Sequence, residues 1–331
     1  MESTIVVLAG VPADRGDRLA EVLIEAGGQS VGDALDQWLE DALVSQGMAA
    51  SALCTRNPDP VGPELAQRAK ALAAQWQDLG GIVVCYAPRV TLFLRQWMQW
   101  LPQARFMVTY RAPWVTLDNL YGDHSRNGGE LATDPFCHDP RRAVAVVEHY
   151  HRELLNFCRD FRDQTAAVNL DAFGAKPAAV LDALLGDRQF LPLSSDIRGS
   201  VLPGNDDRTW RERAHWLAQN YSKTLALYGE LNGVALAAAA IAPLPNPFSE
   251  GDPAPADQPL RDWAKGARSR GLAARAEESY AQQTHELRSL RQRLKNLELA
   301  LDQAQFQRHQ AQSYTGQFQA RIYQLEPAVQ D

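Results

Sequence analysis

Two short stretches, Gly81-Ile-Val-Val-Cys-Tyr86 and Phe106-Met-Val-Thr-Tyr110, decide the fold of this chain. Both are apolar runs rich in β-branched residues, as expected of strands that are buried on both faces of a sheet. Between them, apolar residues recur at helical spacing as far as Pro102, and a second helical pattern begins at Trp114. Strands that alternate with helices over short connections predict a parallel sheet with right-handed crossovers. Ligands of such sheets lie at the carboxyl ends of the strands, and Arg111 directly follows the second run.

Two further runs extend the predicted sheet. Thr4–Ala9 and Ala166–Leu170 have the same apolar character, so the four runs together predict a three-layer α/β domain over residues 1 to 232. Helical patterns fill the intervals and end in a last amphipathic helix from Trp210 to Tyr228. The polar stretch from Gly122 to Pro140 predicts a long loop beside the strand ends, a common place for an acceptor-binding lid.

The segment from Gly10 to Asp17 joins the first strand to a helix. A glycine-containing loop before a helix amino terminus is a ready anion site, because free backbone N–H groups point at the ligand. Asp14 and Asp17 bring the local charge close to zero, however. The alternative is a plain connection in which one of these carboxylates caps the helix.

These residues resemble bacterial PAPS-dependent sulfotransferases. In that family a strand ends in Lys-Asp-Pro-Arg, a helix ends in Leu-Pro, and a further strand runs into Tyr-Arg-His-Pro before a helix with a Ser-Leu pair. The corresponding letters here are Tyr86-Ala87-Pro88-Arg89, Leu101-Pro102, Tyr110-Arg111-Ala112-Pro113 and Asn119-Leu120. The resemblance implies a P-loop-like parallel sheet of the sulfotransferase type. It also implies transfer of a sulfuryl group from PAPS to a hydroxyl of a carbohydrate or another metabolite.

A set of cofactor-binding residues follows from the same resemblance. In the family the first loop holds the 5′-phosphosulfate of PAPS, while an arginine and a serine contact the 3′-phosphate. Arg111 and Asn119 stand at the positions of these last two residues. The planar fork of an arginine suits a phosphate because it donates two parallel hydrogen bonds. The implied PAPS contacts are Gly10, Arg15, Gly16, Arg18, Arg111 and Asn119.

The family's lysine and its candidate catalytic base are missing, because Tyr86 and Ala87 stand in their places. A methyl group cannot accept a proton, so an active enzyme needs a different base. The candidates are His124, His138 and Glu148. If the protein is inactive, its arginines at the strand ends form ordinary ion pairs on the surface of the fold.

Length, net charge and cysteine spacing limit the classes of protein to which this chain can belong. The chain has 331 residues and a net charge of −7, which leaves room for an appendage beside the domain and argues against a general nucleic-acid binder. Cys54, Cys85, Cys137 and Cys158 show no Cys-x-x-Cys spacing, which favours reduced thiols in the cytosol over disulfides or zinc. The absence of a secretory signal pattern and of a long apolar run also predicts a soluble, cytoplasmic protein.

No metal site is predicted. His149 and His151 stand at i and i+2 of a helical pattern and so point to different sides, whereas helical metal ligands need a spacing near i and i+4.

The composition changes after the predicted domain. Residues 233 to 260 form a Pro/Ala-rich linker that cannot bury a core. Residues 261 to 331 form a basic segment followed by a helix. Because Gly266 and Gly271 interrupt the basic segment, it is interpreted as a solvated hinge, with contact to an anionic membrane surface as the alternative.

Beyond the basic segment, apolar residues recur at alternating three- and four-residue spacing. They are Leu287, Leu290, Leu294, Leu297, Leu301 and Ala304. This is a coiled-coil pattern of about three heptads. It predicts a homo-oligomer, most simply a parallel dimer, because a lone helix would leave its leucines in water.

Three functional classes remain open. The preferred interpretation is a PAPS-dependent transferase acting on a small-molecule or glycan acceptor, supported by the motif order and Arg111. The second is a catalytically degenerate module that serves as a binding or oligomerising scaffold, for instance as the amino-terminal part of a larger glycan-assembly protein. It is supported by the missing lysine and base and by the acidic first loop. The third, a P-loop kinase or nucleotide hydrolase, needs a Gly-Lys-Ser/Thr that the Gly10 loop lacks.

Overall fold

A computed structural model describes residues 3–14, 16–48, 53–126, 139–173, 207–237 and 257–325. The chain divides into two compact units, Met1–Gly271 and Leu272–Asp331. The strands are β1 (Thr4–Ala9), β2 (Gln29–Ser30), β3 (Ile82–Tyr86), β4 (Arg105–Tyr110), β5 (Thr165–Asn169) and β6 (Ala235–Ala237). The helices are α1 (Asp17–Glu25), α2 (Gly32–Ser45), α3 (Pro63–Asp78), α4 (Leu94–Trp100), α5 (Pro113–Arg126), α6 (Arg141–Asp160), α7 (Leu170–Phe173), α8 (Asp207–Asn220), α9 (Ser222–Val234) and α10 (Asp257–Leu325).

The strands form one sheet in the order β2-β3-β1-β4-β5-β6, and every neighbouring pair is parallel. At its centre, Val7 on β1 pairs with Cys85 on β3 and with Phe106 on β4. The predicted α/β fold is confirmed, and all four predicted strands lie in this parallel sheet. From β1 the chain continues toward β2 and β3, whereas from β4 it continues toward β5. The carboxyl ends of β1 and β4 therefore flank the topological switch point, where sheets of this kind place their ligands.

Helices cover both faces of the sheet. On one face, Leu19 and Leu23 of α1 pack against Leu8 and Met107. The larger core lies on the opposite face, where alternate strand residues such as Val7 meet the remaining helices. These two cores hold the carboxyl ends of β1 and β4 in fixed positions.

Two features of the sheet and its last helices differ from the prediction. The sheet continues past residue 232, because β6 pairs with β5 through Ala167 and Ala235. The single helix predicted from Trp210 to Tyr228 is in fact two helices, α8 and α9. They separate at Tyr221, whose backbone leaves the helical conformation at φ −142° and ψ 54°. Neither glycine nor proline marks this break, so the sequence gives no signal for it.

The interpretation of the basic segment as a solvated hinge is wrong. Helix α10 passes through Gly266 and Gly271 without interruption. Leu260 and Ala267 on its first turns are buried, which shows that one face of this segment packs against the α/β unit. Packing of this face outweighs the modest cost of glycine in a helix. None of the helices in the described ranges has the length and apolarity needed to span a bilayer.

Candidate functional site

The connection between β1 and α1 lies at the switch point and contacts the end of β4. A side chain at Gly10 would bring its Cβ within 2.4 Å of Thr109 Oγ1 and 3.0 Å of the Thr109 carbonyl oxygen. Only glycine can therefore occupy this position. On the other side, Thr91 Oγ1 donates a hydrogen bond to the Gly10 carbonyl at 2.8 Å. The first residue of the loop is thus clamped between two neighbouring elements.

The loop then makes a strained turn. Ala13 has φ +86°, a left-handed conformation that is costly for a residue with a Cβ. Asn119 Nδ2 on α5 donates to the Ala13 carbonyl at 2.8 Å and holds this turn. Asp14 N donates to the Val11 carbonyl at 3.0 Å. As a result the Asp14 side chain faces the interior and is only 1% exposed.

Asp14 is an ionisable group in an apolar setting. Thr116 Oγ1 on α5 donates to its Oδ1 at 2.6 Å. Its Oδ2 has no hydrogen-bond partner within the described part of the chain. Burial raises the pKa of Asp14 to about 7, although the Thr116 hydrogen bond and the charge of Arg111 oppose this rise. A carboxyl group that titrates near neutrality at a strand end is typical of functional sites.

Arg111 and Asp171 form a partly buried ion pair across the ends of β4 and β5, in which Arg111 is buried and Asp171 reaches solvent. Asp171 Oδ1 accepts from Arg111 Nε at 2.8 Å and from Arg111 Nη2 at 2.5 Å. Its Oδ2 accepts from the backbone N–H of Ala112 at 3.1 Å. The side chains are 8% and 27% exposed, respectively. Two of the five N–H groups of Arg111 are therefore bound by Asp171. We refer to Asp14, Arg111, Thr116 and Asp171 as the strand-end cluster.

A second polar network positions Asp171. Asn169 Oδ1 at the end of β5 accepts the backbone N–H of Asp171 at 2.9 Å. Asn169 Nδ2 donates to Asn232 Oδ1 at 3.0 Å, and the Tyr110 hydroxyl donates to the same oxygen at 2.8 Å. These partners come from β4, β5 and α9, so no local sequence pattern could have predicted them. The network fixes the backbone that presents the carboxylate of Asp171.

The structure brings four of the six predicted cofactor contacts to one place. Gly10, Gly16, Arg111 and Asn119 surround the switch point, where Asn119 is bound to the loop itself. Arg18 lies elsewhere: its side chain is 51% exposed and pairs with Glu21 at 2.8 Å. Arg15 lies outside the described residues. The alternative of a capping aspartate is wrong, since the N-cap of α1 is Gly16 and no side chain caps this helix.

Of the three candidate catalytic bases, the structure describes only the side chain of Glu148. Glu148 accepts a hydrogen bond from Thr224 Oγ1 on α9 at 2.7 Å. His124 belongs to α5, but its side chain lies outside the description, and so does all of His138. The carboxylate that interacts with Arg111 and Asp171 is Asp14, which the sequence offered only as a capping residue. A carboxylate inside a glycine-containing loop at a strand end was the signal available.

Two buried histidines have lowered pKa values. Burial lowers the pKa of His151 to about 4 and lowers that of His149 below its usual value. Within the described ranges, no group of three or more His, Cys, Asp or Glu side chains could hold a metal ion.

The described residues do not fit a PAPS molecule as they stand. Arg111, which the family resemblance assigns to a 3′-phosphate, is held by Asp171 and its side chain is 8% exposed. A 5′-phosphosulfate in the loop would meet the carboxylate of Asp14, and two anions in a poorly solvated site repel strongly. In this cluster the guanidinium of Arg111 is thus paired with a carboxylate of the chain itself.

Comparison with known proteins gives little further guidance. No family model matches the chain, and no curated protein matches it. One solved structure that matches is the sulfotransferase domain from the curacin biosynthetic pathway, at 13% sequence identity and a TM-score of 0.39. The match covers 57% of this chain and 76% of that domain. What the structure itself establishes is an α/β chain with a parallel sheet, from its strand order and register.

Proposed function

We propose that this chain is a catalytically degenerate module of the sulfotransferase type that serves as an oligomerising scaffold. The observation that carries the proposal is the Arg111–Asp171 pair. The arginine that the family resemblance assigns to the 3′-phosphate is neutralised within the fold and is 8% exposed. Binding a phosphate there requires breaking this pair, which costs its two charge-assisted hydrogen bonds before any contact with the phosphate is gained.

Helix α10 supports the scaffold half of the proposal. Leu287, Leu290, Leu294 and Leu297 are 56%, 58%, 59% and 70% exposed. We call these four residues the leucine seam. They occupy alternating a and d positions of a heptad pattern, whose burial needs a partner helix. The occupant that we propose is a second copy of this chain.

Charges beside the seam favour a parallel, in-register pairing of the two copies. With Leu287 at position a, Glu286 and Arg293 fall at g, while Arg291 and Glu298 fall at e. In a parallel dimer each g residue faces the e residue of the following heptad on the partner helix. The resulting pairs, Glu286 with Arg291 and Arg293 with Glu298, are both attractive. Exposed pairs of this kind contribute little energy, but they select partner and orientation.

A second candidate function is the PAPS-dependent sulfuryl transferase. The observation in its favour is Asp14, a buried carboxyl group with a pKa of about 7 and an unpartnered Oδ2. Such a group has the properties of a general base for an acceptor hydroxyl. Under this hypothesis the strand-end cluster opens when the nucleotide binds.

Calorimetry with 3′-phosphoadenosine 5′-phosphate separates the two candidates. The scaffold proposal expects no binding heat from wild-type protein at about 1 mM ligand, a level that would detect even weak affinity. Light scattering on the same sample should give a dimer. Micromolar binding that Arg111→Met abolishes would overturn the scaffold proposal in favour of the transferase. A monomer that also fails to bind would reject both.

A further inference from the structure

A cleft separate from the strand ends lies between α8 and the first turns of α10. Its volume is about 350 Å³, within the size range of small-molecule sites. The lining residues are Arg213, Trp216, Pro259, Asp262, Trp263, Gly266 and Arg270. All of them belong to the α/β unit. The cleft thus combines aromatic rings with charged groups in one concave surface.

One carboxylate fixes the cationic side of this cleft. Asp118 Oδ1 on α5 accepts from Trp263 Nε1 at 2.9 Å and from Arg270 Nη2 at 2.7 Å, and it pairs with Arg213 Nη1 at 3.0 Å. The guanidinium of Arg213 also lies over the Trp263 ring, 5.0 Å from its centroid. These contacts hold the indole and both arginines in place before any ligand arrives. Preorganisation of this kind reduces the entropic cost of binding.

The cleft offers both donors and acceptors. The Arg270 side chain is 56% exposed, so several of its five N–H groups face solvent beside the cleft. Asp262 also lines the cleft and adds a carboxylate, whose oxygens accept hydrogen bonds. The ring of Trp216 stands nearly perpendicular to that of Trp263, at 86° and 6.3 Å between centroids. A ligand here can therefore pack against indole while its polar groups both accept and donate hydrogen bonds.

Formal charge indicates a neutral ligand. The arginines at 213 and 270 are balanced by the carboxylates of Asp118 and Asp262, which gives a net formal charge of zero. An anionic ligand would have to compete with Asp118 for both guanidinium groups. A neutral ring with several hydroxyl groups leaves that arrangement intact.

Gly266 forms part of the wall of the cleft. Glycine inside a helix is unfavourable relative to alanine, by about 0.5 to 1 kcal/mol. A Cβ added here would meet Arg270 Nη1 at 3.5 Å, an ordinary contact, so the fold itself tolerates a side chain. A longer side chain at this position would occupy the cleft. Glycine at this position therefore keeps the cavity open and does not stabilise the helix.

From these observations we infer that the cleft binds a neutral saccharide ring. The indoles of Trp216 and Trp263 supply the apolar surface, while Arg270 and Asp262 bond its hydroxyl groups. This inference is independent of the strand-end cluster and stands whether or not the chain binds a nucleotide.

Calorimetry and ligand-observed NMR on the full chain test it with cellobiose, lactose and N,N′-diacetylchitobiose, each at up to about 10 mM, a range in which millimolar affinities are measurable. At least one of these disaccharides should bind and perturb tryptophan fluorescence. Gly266→Leu, which fills the cleft, should weaken that binding at least tenfold. Gly229→Leu is the matched control, because Gly229 is also helical and nothing lies within 4 Å of a Cβ added there; this variant should bind normally.

Three results would overturn the inference. The first is failure of all three disaccharides to bind to wild-type protein. The second is equal binding by Gly266→Leu and Gly229→Leu, which would place the site elsewhere. The third is a clear preference for N-acetylneuraminic acid over the neutral sugars, which would make the site anionic. Thermal unfolding of both variants checks that each one is folded.

Discussion

The strand-end cluster and the leucine seam are opposite kinds of surface. In the cluster, Arg111 is 8% exposed and bound twice by one carboxylate. Along the seam, Leu297 is 70% exposed and contacts mainly water. The cluster would lose existing contacts by accepting a phosphate, whereas the seam would gain burial by accepting a helix. We therefore expect the leucine seam of α10 to contribute more binding free energy than the strand-end cluster, although sheets of this kind place their ligands at the strand ends.

The largest expected effect of a single change is on the seam. Leu294→Asp removes two buried leucines from each dimer and adds two facing carboxylates. The loss amounts to about 3 to 6 kcal/mol of association free energy, since each buried leucine contributes about 1.5 to 3 kcal/mol. Light scattering at micromolar concentration should then show a monomer.

Leu299→Asp is the matched control for this change. Leu299 falls at position f of the same heptad pattern, on the side of the helix away from the seam. The same substitution there should leave the dimer intact. A monomeric wild-type chain, or equal effects of the two substitutions, would contradict pairing through the seam.

The next effect concerns the ion pair of the strand-end cluster. Arg111→Met keeps the apolar stem but leaves the carboxylate of Asp171 unpaired beside Asp14. It should lower the free energy of unfolding by about 2 to 3 kcal/mol, because two charge-assisted hydrogen bonds of a partly buried pair are lost. Urea unfolding monitored by tryptophan fluorescence measures this loss.

The double variant Arg111→Met/Asp171→Asn sharpens the same test. It should be more stable than Arg111→Met alone, because no unpaired charge remains. If Arg111→Met is as stable as wild type, then Arg111 is not held by Asp171 in solution. The site would in that case be open to phosphate, and the contrast with the seam would disappear.

The sequence predicted the strands that surround this site better than the polar contacts within it. Apolar runs such as Val83–Cys85 define buried strands by themselves, and short connections make them parallel. The polar partner of Arg111 could not be predicted in this way. Asp171 follows β5 and lies 60 residues further along the chain, a separation over which no sequence periodicity acts. Asp14 was visible in the sequence, but its burial depends on the strained turn at Ala13 and on Thr116 from a later helix.

Removal of the Asp14 charge should produce a smaller effect that depends on pH. The pKa of Asp14 is raised from 3.8 to about 7 on folding, so its ionisation opposes folding. This penalty is absent below pH 3.8, grows up to about pH 7 and is complete above it. Asp14→Asn should therefore be more stable than wild type at pH 8 and similar to it near pH 4.

The pKa shift of Asp14 sets an upper limit on the gain in stability of Asp14→Asn. The shift corresponds to at most about 4 kcal/mol, and about 2 kcal/mol is expected because the amide of asparagine also lacks a partner. His151, whose pKa is lowered to about 4, acts in the opposite direction, since the stability that it contributes is lost as the pH falls from 6.5 to about 4. Because both groups titrate, only the difference in the free energy of unfolding between wild type and Asp14→Asn reports the contribution of Asp14. A difference that does not change between pH 4 and 8 would mean that the carboxyl group is solvated.

The smallest effect is expected at Gly266 and, like that of Asp14→Asn, it is a gain in stability. Gly266→Ala places a Cβ 3.5 Å from Arg270 Nη1 without a clash, so it should stabilise the α/β unit by about 0.5 to 1 kcal/mol. Gly229→Ala in α9, where nothing lies within 4 Å of the added Cβ, should give a similar gain by thermal unfolding. If the two gains match, alanine is the more stabilising residue at both positions, so helix propensity does not explain the glycine at 266. The space that this glycine leaves in the cleft then explains it. If Gly266→Ala instead destabilises the protein, the first turns of α10 pack more tightly than the cleft requires, and the site is too small for a sugar.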